Sequence, residues 1–536
     1  MDTNVLYYGD NLEILRKYIP DSSIDLIYLD PPFNSKATYN VLYKEPSGKS
    51  SQAQIEAFED TWQWNLESER VLQEIAASAI ATAETKEFIS VLPNFVGQKT
   101  PMRAYLTMMA IRLIELRRVL KDTGSIYLHC DPTASHYLKM LLDTIFGVAN
   151  FRNEIVWRRT NAKSLAFTRF ASNHDVLLRY SKSDKWTWNA QHTEHDPEYV
   201  GKFYRYTDPE TGRTYRLADL TNPNKDRPNL TYEFLGVTRV WRWTKERMEK
   251  AYKDGLIVQS KPGSVPALKR YLDEQDGNPV DDMWDDILPI QAQASERLGY
   301  PTQKPLALLE RIIQVSSNEG DIVLDPFCGC GTAVVAAQRL NRKWIGIDIT
   351  HLAIGLMKWR LKNMTPPASF KVVGEPEDPA GAEELAKQDK YQFQWWAVHK
   401  IGGQPYGDKK KGADTGIDGY LYYMDEKDKI KKAIISVKGG KNTTVSMIRD
   451  LGHVIDREKS DIGVFICLDK PTRPMLEEAA LKGFYNSPNG KDYPRIQILT
   501  IEEIFQGKTA ETPAWLAPIP KAPAVKKARG KTARLL

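Results

Sequence analysis

An apolar run, Ile24-Asp25-Leu26-Ile27-Tyr28-Leu29, ends abruptly in Asp30-Pro31-Pro32-Phe33. The run reads as a buried strand. An acid followed by two prolines can neither prolong a ladder nor start a helix at once, so the chain leaves the sheet through a rigid loop. That loop offers a carboxylate, an exposed carbonyl and an aromatic ring. The set suits an exocyclic amino group on a flat base: Asp30 and the Pro31 carbonyl accept its N–H bonds, and Phe33 stacks on the ring. The plain alternative is a strand-end turn with a core phenylalanine.

A second stretch with chemistry in it is Asp325-Pro326-Phe327-Cys328-Gly329-Cys330-Gly331-Thr332, between a strand expected at 321–325 and a helix at 333–339. Gly329 and Gly331 let the backbone turn tightly against a ligand, and the helix start adds free N–H groups. Asp348 closes the next strand, 344–348, where an acid can hold both hydroxyls of a ribose. The glycines are too close together for G-x-G-x-x-G, and nothing demands a phosphate. An adenosyl ligand without phosphates, S-adenosylmethionine, fits better; a purely structural turn is the alternative. Upstream, Pro301-Thr302-Gln303-Lys304-Pro305 leads into a helix at 306–315, with proline at the helix start.

A third candidate lies near the C-terminus. Asp418 heads a strand at 420–423, a polar turn follows at 425–432, and Ser436 and Lys438 lie on the next strand, 433–440. An acid on one hairpin strand and a lysine on the next suit a metal-dependent nuclease, the acid binding Mg2+ and the lysine steadying water or phosphate. A surface ion pair on a hairpin is the alternative.

These residues need scaffolds to position them. The alternation of strand-like and helix-like stretches in 1–182 implies an α/β fold with a mostly parallel sheet. Residues 45–104 read as a helix-prone insertion that packs or makes a subunit contact. From 183 to 295 aromatic and basic residues interleave (Lys185, Trp186, Trp188, Lys202, Tyr204, Arg205, Arg239, Trp241, Arg242, Trp243), a mix suited to base and phosphate contacts, or to a β-rich subdomain with tryptophan in its core. The α/β pattern resumes over 296–365. Residues 366–388 read as a linker, 389–510 as a second α/β domain, and 511–536 as a basic, disordered tail.

Bulk properties agree. With 536 residues, 42% hydrophobic and 27% charged, the chain has the length of three or four soluble domains. No apolar run is long enough to span a membrane, and the N-terminus has no signal-peptide pattern. The four cysteines show neither a disulfide framework nor zinc spacing, which fits a reducing cytoplasm. A net charge of +5 favours nucleic acid only weakly.

D-P-P-F, T-Q-K-P and D-P-F-x-G-x-G-T, in this order, resemble the motifs of amino-group DNA methyltransferases. The catalytic loop first and the cofactor loop late resemble that family's beta group, whose target-recognition region lies between the halves, here 183–295. The resemblance covers about 1–365. It implies a Rossmann-like S-adenosylmethionine-dependent fold, methyl transfer to a base flipped out of double-stranded DNA, catalysis at Asp30, Pro31, Pro32 and Phe33, and a cofactor site built from Asp10, Thr302, Lys304, Pro305, Asp325, Phe327, Gly329, Gly331 and Asp348. Asp in D-P-P-F is usual for adenine-N6 enzymes; N4-cytosine enzymes more often carry Ser there. The chain departs from the family's G-S-G-T at Cys330. Residues 389–510 resemble the Mrr-like branch of PD-(D/E)xK nucleases, a restriction-endonuclease-like α/β fold, with Asp418 and Lys438 in matching places, Ser436 where Glu or Gln is usual, and Gln394 upstream. A restriction-modification enzyme follows from the two resemblances, as does its alternative, a methyltransferase whose last domain only binds DNA. A homodimer and a separate restriction or translocase subunit are arrangements compatible with this reading. No G-x-x-x-x-G-K-[ST] loop occurs, so ATP-driven work would need such a partner.

Overall fold

The computed structural model describes residues 1–32, 64–161, 170–291, 294, 296–298, 302–406, 416–426, 429–488, 490–513 and 515–516. Chain contacts divide the molecule into two compact units, Met1–Asn189 with Asp282–Leu536, and Ala190–Asp281.

The first unit is organised by a nine-stranded sheet. Its order is Met283–Trp284, Phe151–Arg158, His174–Ser181, Leu120–Cys130, Ile24–Leu29, Ile322–Asp325, Lys343–Asp348, Val5–Tyr8 and Lys371–Val373. His174–Ser181 runs antiparallel to both its neighbours and every other pairing is parallel. The mostly parallel α/β sheet expected from the sequence is thus present. The central strands are nearly continuous apolar runs because helices cover both faces. Helices Asn11–Tyr18, Pro101–Val119 and Ser135–Phe146 bury Tyr7, Ile27, Leu29, Ile126, Leu128, Leu324, Ile345 and Ile347 on one face. Leu306–Ser316 and Thr332–Arg339 cover the other. Helix Pro101–Val119 starts where its sequence says it should: Thr100 accepts the Arg103 N–H at 3.3 Å, and proline takes the first turn.

Residues 366–388 are not the bare linker their proline and glycine content suggests. Lys371–Val373 extends the main sheet beside Val5–Tyr7. Helix Pro379–Gln388 begins with Asp378 accepting the Gly381 N–H at 2.7 Å. Breaker residues here flank short elements. In the described part of 45–104, helices Leu66–Ala77, Ala83–Val91 and Pro93–Val96 agree with the helix-prone reading.

A second sheet follows, in the order Gln404–Pro405, Gly419–Glu426, Lys429–Lys438, Gly463–Cys467 and Ile496–Thr500. Helices Pro379–Gln388, Lys390–Lys400 and Ile501–Phe505 pack on one face, and Val445–Arg457 and Arg473–Leu481 on the other. The described residues of the polar stretch 425–432 are strand: Tyr422 pairs with Lys432 and Tyr423 with Lys431, so ladder pairing overrides the weak intrinsic β-propensity of lysine and aspartate. Trp515–Leu516 pairs with Gly419–Glu426, so the sequence read as tail contains a short strand; residues 517–536 lie outside the described part.

The Ala190–Asp281 unit holds an antiparallel sheet, in the order Ile257–Val258, Ala267–Tyr271, Thr214–Asp219 and Tyr206–Thr207, and the hairpin Thr231–Phe234/Val237–Val240. Trp241 is fully buried in its core with Leu220, Phe234, Met248 and Ile257. Lys202, Arg205, Arg239 and Arg242 are exposed. Trp186 and Trp188 belong to the first unit, where they lie over Arg152 and Arg179.

Gly346, in the strand Lys343–Asp348, shows how closely the cofactor-side helix approaches. A Cβ there would lie 2.9 Å from Val334 Cγ2 and 3.1 Å from Leu6 Cδ2. Gly346→Ala is expected to destabilise the protein by about 1–3 kcal/mol through overpacking, measurable as a lower denaturation midpoint; an unchanged midpoint would contradict this packing.

Candidate active site

Parallel strands deliver whatever follows them to one edge of a sheet. Here five adjacent strands, Leu120–Cys130, Ile24–Leu29, Ile322–Asp325, Lys343–Asp348 and Val5–Tyr8, bring Asp131, Asp30, Asp325, Asp348 and Asp10 to that edge. The chain leaves Val5–Tyr8 on one side of the middle strands and enters Ile24–Leu29 on the other. The acids therefore line the crevice where an open α/β sheet places its ligands.

Asp30 is half-buried at the strand's end, with Pro31 buried behind it and Pro32 half-buried. Phe33 lies outside the described residues. Lys304 Nζ forms an ion pair with Asp30 Oδ2, joining two motifs 274 residues apart. The loop carrying Lys304 is shaped by its neighbours. Gln303 Nε2 donates to the Glu296 carbonyl at 2.6 Å, and Gln303 Oε1 accepts the Leu298 N–H at 2.8 Å. Glu296 Oε2 accepts the Leu306 N–H at 3.1 Å, satisfying an orphan donor of the helix that follows buried Pro305. Thr302 is exposed at the turn.

Gly331 opens helix Thr332–Arg339 at φ +76°, a left-handed conformation that favours glycine, and a Cβ there would lie 2.4 Å from Met357 Cγ. The Gly329 N–H donates to Asp348 Oδ2 at 2.9 Å, while the Thr350 N–H and hydroxyl donate to Oδ1 at 2.9 and 3.0 Å. Burial outweighs these bonds and pushes the Asp348 carboxyl from its usual 3.8 up to about 6. Asp325 is more deeply buried. It accepts the Phe327 N–H at 3.1 Å, and burial, with Asp30 and Asp348 nearby, raises its carboxyl well above the usual range. Phe327 is half-buried and packs against the main core. Cys330, standing where the family has Ser, is buried, and its carbonyl accepts a 2.6 Å bond from Arg360 Nη1.

Asp10 has a structural task. It caps helix Asn11–Tyr18 by accepting the Leu12 N–H at 2.7 Å and pairs with Arg112 Nη2 at 2.7 Å. Arg112 Nε also donates to Asn11 Oδ1 at 2.7 Å, and Asn11 Nδ2 donates to the Pro326 carbonyl at 2.8 Å. Arg112 thereby ties the helix beneath the sheet to the glycine loop. The motif reading missed it, because Arg112 is one of four arginines in helix Pro101–Val119 and no local pattern sets it apart.

In the second sheet Asp418 and Ser436 are buried and Lys438 is half-buried. Gly419 pairs with Ile435, which puts Asp418 level with Ser436, and Lys438 follows Ser436 by one strand repeat on the same face. Asp418 Oδ2 accepts the Val437 N–H at 2.7 Å. The described residues thus present one carboxylate, engaged by backbone through Oδ2, beside one hydroxyl and one lysine. Among the described residues no three His, Cys, Asp or Glu side chains gather as metal ligands.

Residues 24–357 match the DNA methylase family, N6_N4_Mtase. The match covers more than half of the chain, which belongs to that family. The Type II methyltransferase M.EcaI of Enterobacter cloacae is 36% identical over 249 residues, covering 46% of this chain and 54% of the relative. The StyLTI Mod subunit of a Type III restriction-modification enzyme of Salmonella typhimurium is 26% identical over 356 residues, 63% of this chain and 50% of the relative. The chain thus spans about half the length of both. The structure of TTHA0409 from Thermus thermophilus, complexed with S-adenosyl-L-methionine, is 16% identical, covers 69% of this chain and 100% of its own, and aligns with a TM-score of 0.33.

Arg112 is largely buried, whereas Asp10 keeps some contact with water. Arg112→Met is therefore expected to cost no more than about 3 kcal/mol, the lower end for breaking a buried pair. The check is a denaturation curve, and no loss of stability would contradict the bracing role.

Proposed function

We propose that this protein is a site-specific DNA methyltransferase that moves a methyl group from S-adenosylmethionine to the N6 amino group of an adenine flipped out of double-stranded DNA. The observation that carries this reading is the meeting of Asp30 with Lys304 on the same sheet edge as the glycine loop and Asp348. The site fits an adenosyl group: the half-buried Asp348 carboxylate faces the loop, the loop backbone is free of side chains at Gly329 and Gly331, and Phe327 offers a half-buried ring. The Type II and Type III names of the relatives support a role in restriction-modification.

When bound, the cofactor supplies an electrophilic methyl group on a sulfonium. The chain does the rest by placement. An adenine amino nitrogen is a poor nucleophile because its lone pair is delocalised into the ring. Accepting its N–H bonds at Asp30 and the Pro31 carbonyl favours an sp3-like nitrogen with the pair turned outward. With the cofactor held by the glycine loop and Asp348, its sulfonium would supply the methyl group to that nitrogen, and Asp30 would guide the surplus N–H proton to water. No covalent enzyme intermediate is needed, so positioning and electrostatics carry the rate. Asp in place of Ser at position 30 supports adenine over cytosine. The Ala190–Asp281 unit, with its exposed arginines, is the candidate reader of sequence. The C-terminal domain resembles a nuclease in layout, and Ser436, a weaker metal ligand than the usual Glu or Gln, favours DNA contact without self-contained cleavage.

Asp30→Ala is expected to abolish incorporation of labelled methyl into plasmid while leaving S-adenosylmethionine binding within about twofold; near wild-type incorporation would refute the assignment. In the same reactions, plasmid supplied with Mg2+ is expected to stay intact. The ionised form of Asp348, the better acceptor for ribose hydroxyls, prevails above about pH 6. Cofactor affinity followed by calorimetry from roughly pH 8 to roughly pH 5 should therefore weaken as the carboxyl takes up its proton. Asp348→Asn should bind weakly with that pH response flattened, and equal responses would remove the ribose role.

A further inference from the structure

A buried polar chain runs beneath Asp30 that methyl transfer as derived above does not use. Tyr28, on the strand that ends in Asp30, bonds through its hydroxyl to His129 Nδ1 at 3.0 Å. His129 Nε2 bonds to Asp175 Oδ2 at 3.2 Å, and Asp175 Oδ1 pairs with Arg159 Nε at 3.0 Å. Tyr28 is 2% exposed, His129 0% and Asp175 3%. The indole of Trp157 meets the imidazole edge-on at 5.9 Å. An aspartate accepts and does not donate, so it takes the Nε2–H and leaves Nδ1 to accept the Tyr28 hydroxyl proton. Burying an ionised group under a sheet is costly even when it is paired, and apolar residues would close this face more cheaply. The cost falls beside the reacting edge. Tyr28 precedes Asp30 by one strand repeat, and the charge of Lys304 acts on Asp175 and Asp325 as well as pairing with Asp30.

We propose that Tyr28, His129 and Asp175 are positioning residues for methyl transfer: they lock the strand end beneath Asp30, so that Asp30 meets Lys304 through Oδ2 and keeps Oδ1 for the amino group. This rests on the methyltransferase reading of the site.

The test is steady-state methylation of unmethylated plasmid DNA with labelled S-adenosylmethionine, with S-adenosylmethionine affinity and melting temperature measured alongside. Tyr28→Phe removes one buried oxygen and keeps the ring. It is expected to lower kcat about tenfold while KM and cofactor affinity stay within about twofold. Asp175→Asn should lower kcat similarly and change the pH–rate profile, because His129 loses its orienting charge. Should Asp175→Asn fail to fold, Tyr28→Phe decides alone. A Tyr28→Phe rate equal to wild type overturns the inference. So does a rate loss that follows the melting temperature and vanishes in a colder assay, which would mark a merely structural chain. A wild-type protein that transfers no methyl group removes the methyltransferase reading and this inference together; an active wild type with an indifferent Tyr28→Phe variant removes the inference alone.

Discussion

One ammonium among carboxylates is the constraint from which the site follows. Parallel strands ending in acids gather negative charge at a single edge, and such an arrangement repels itself unless a cation enters. Lys304 enters on a loop 274 residues distant from Asp30, and the loop is braced by Gln303, Glu296 and Pro305 so that the ammonium arrives in one place. The two halves of the methylase sheet are therefore held together electrostatically at the point where the chemistry is proposed to occur. Burial raises the Asp325 and Asp348 carboxyls, which moderates the same repulsion from the other direction.

Much of this was legible in the sequence because apolar runs closed by Asp, and glycines before a helix, are local signals. Asp30, Asp325, Gly331 and Asp348 could be found from a few residues each. What could not be read is what distant segments do for one another. No local pattern tells that Asp10 would be committed to a cap and an arginine, that Arg112 would brace the glycine loop, or that Tyr28, His129 and Asp175 would meet across three strands. The strand Lys371–Val373 escaped for a related reason: it is short, its flanks carry breakers, and only pairing with Val5–Tyr7 makes it a strand. Trp241 shows the opposite limit: an aromatic amid basic residues suits a base contact or a core equally, and only the packing with Leu220, Phe234 and Met248 decides for the core.

The C-terminal domain is joined to the cofactor half more intimately than a tethered fusion needs. Thr350, whose hydroxyl and N–H bond Asp348, also caps helix His351–Lys362 by accepting the Ala353 N–H at 3.2 Å. The next residue, His351, donates its backbone N–H to Gln392 Oε1 on helix Lys390–Lys400 at 2.9 Å, and its ring stacks on Tyr8 with centroids 3.7 Å apart. Burial lowers the His351 imidazole pKa, so the ring is neutral there despite Glu375 at 3.9 Å. A neutral ring there adds no charge that must be desolvated as the surfaces pack together. The acid proposed to hold the cofactor and the first contact of the last domain are thus three residues apart on one turn. Asp348, the Thr350 cap and the Gln392 contact form one short path of hydrogen bonds from the glycine loop to helix Lys390–Lys400.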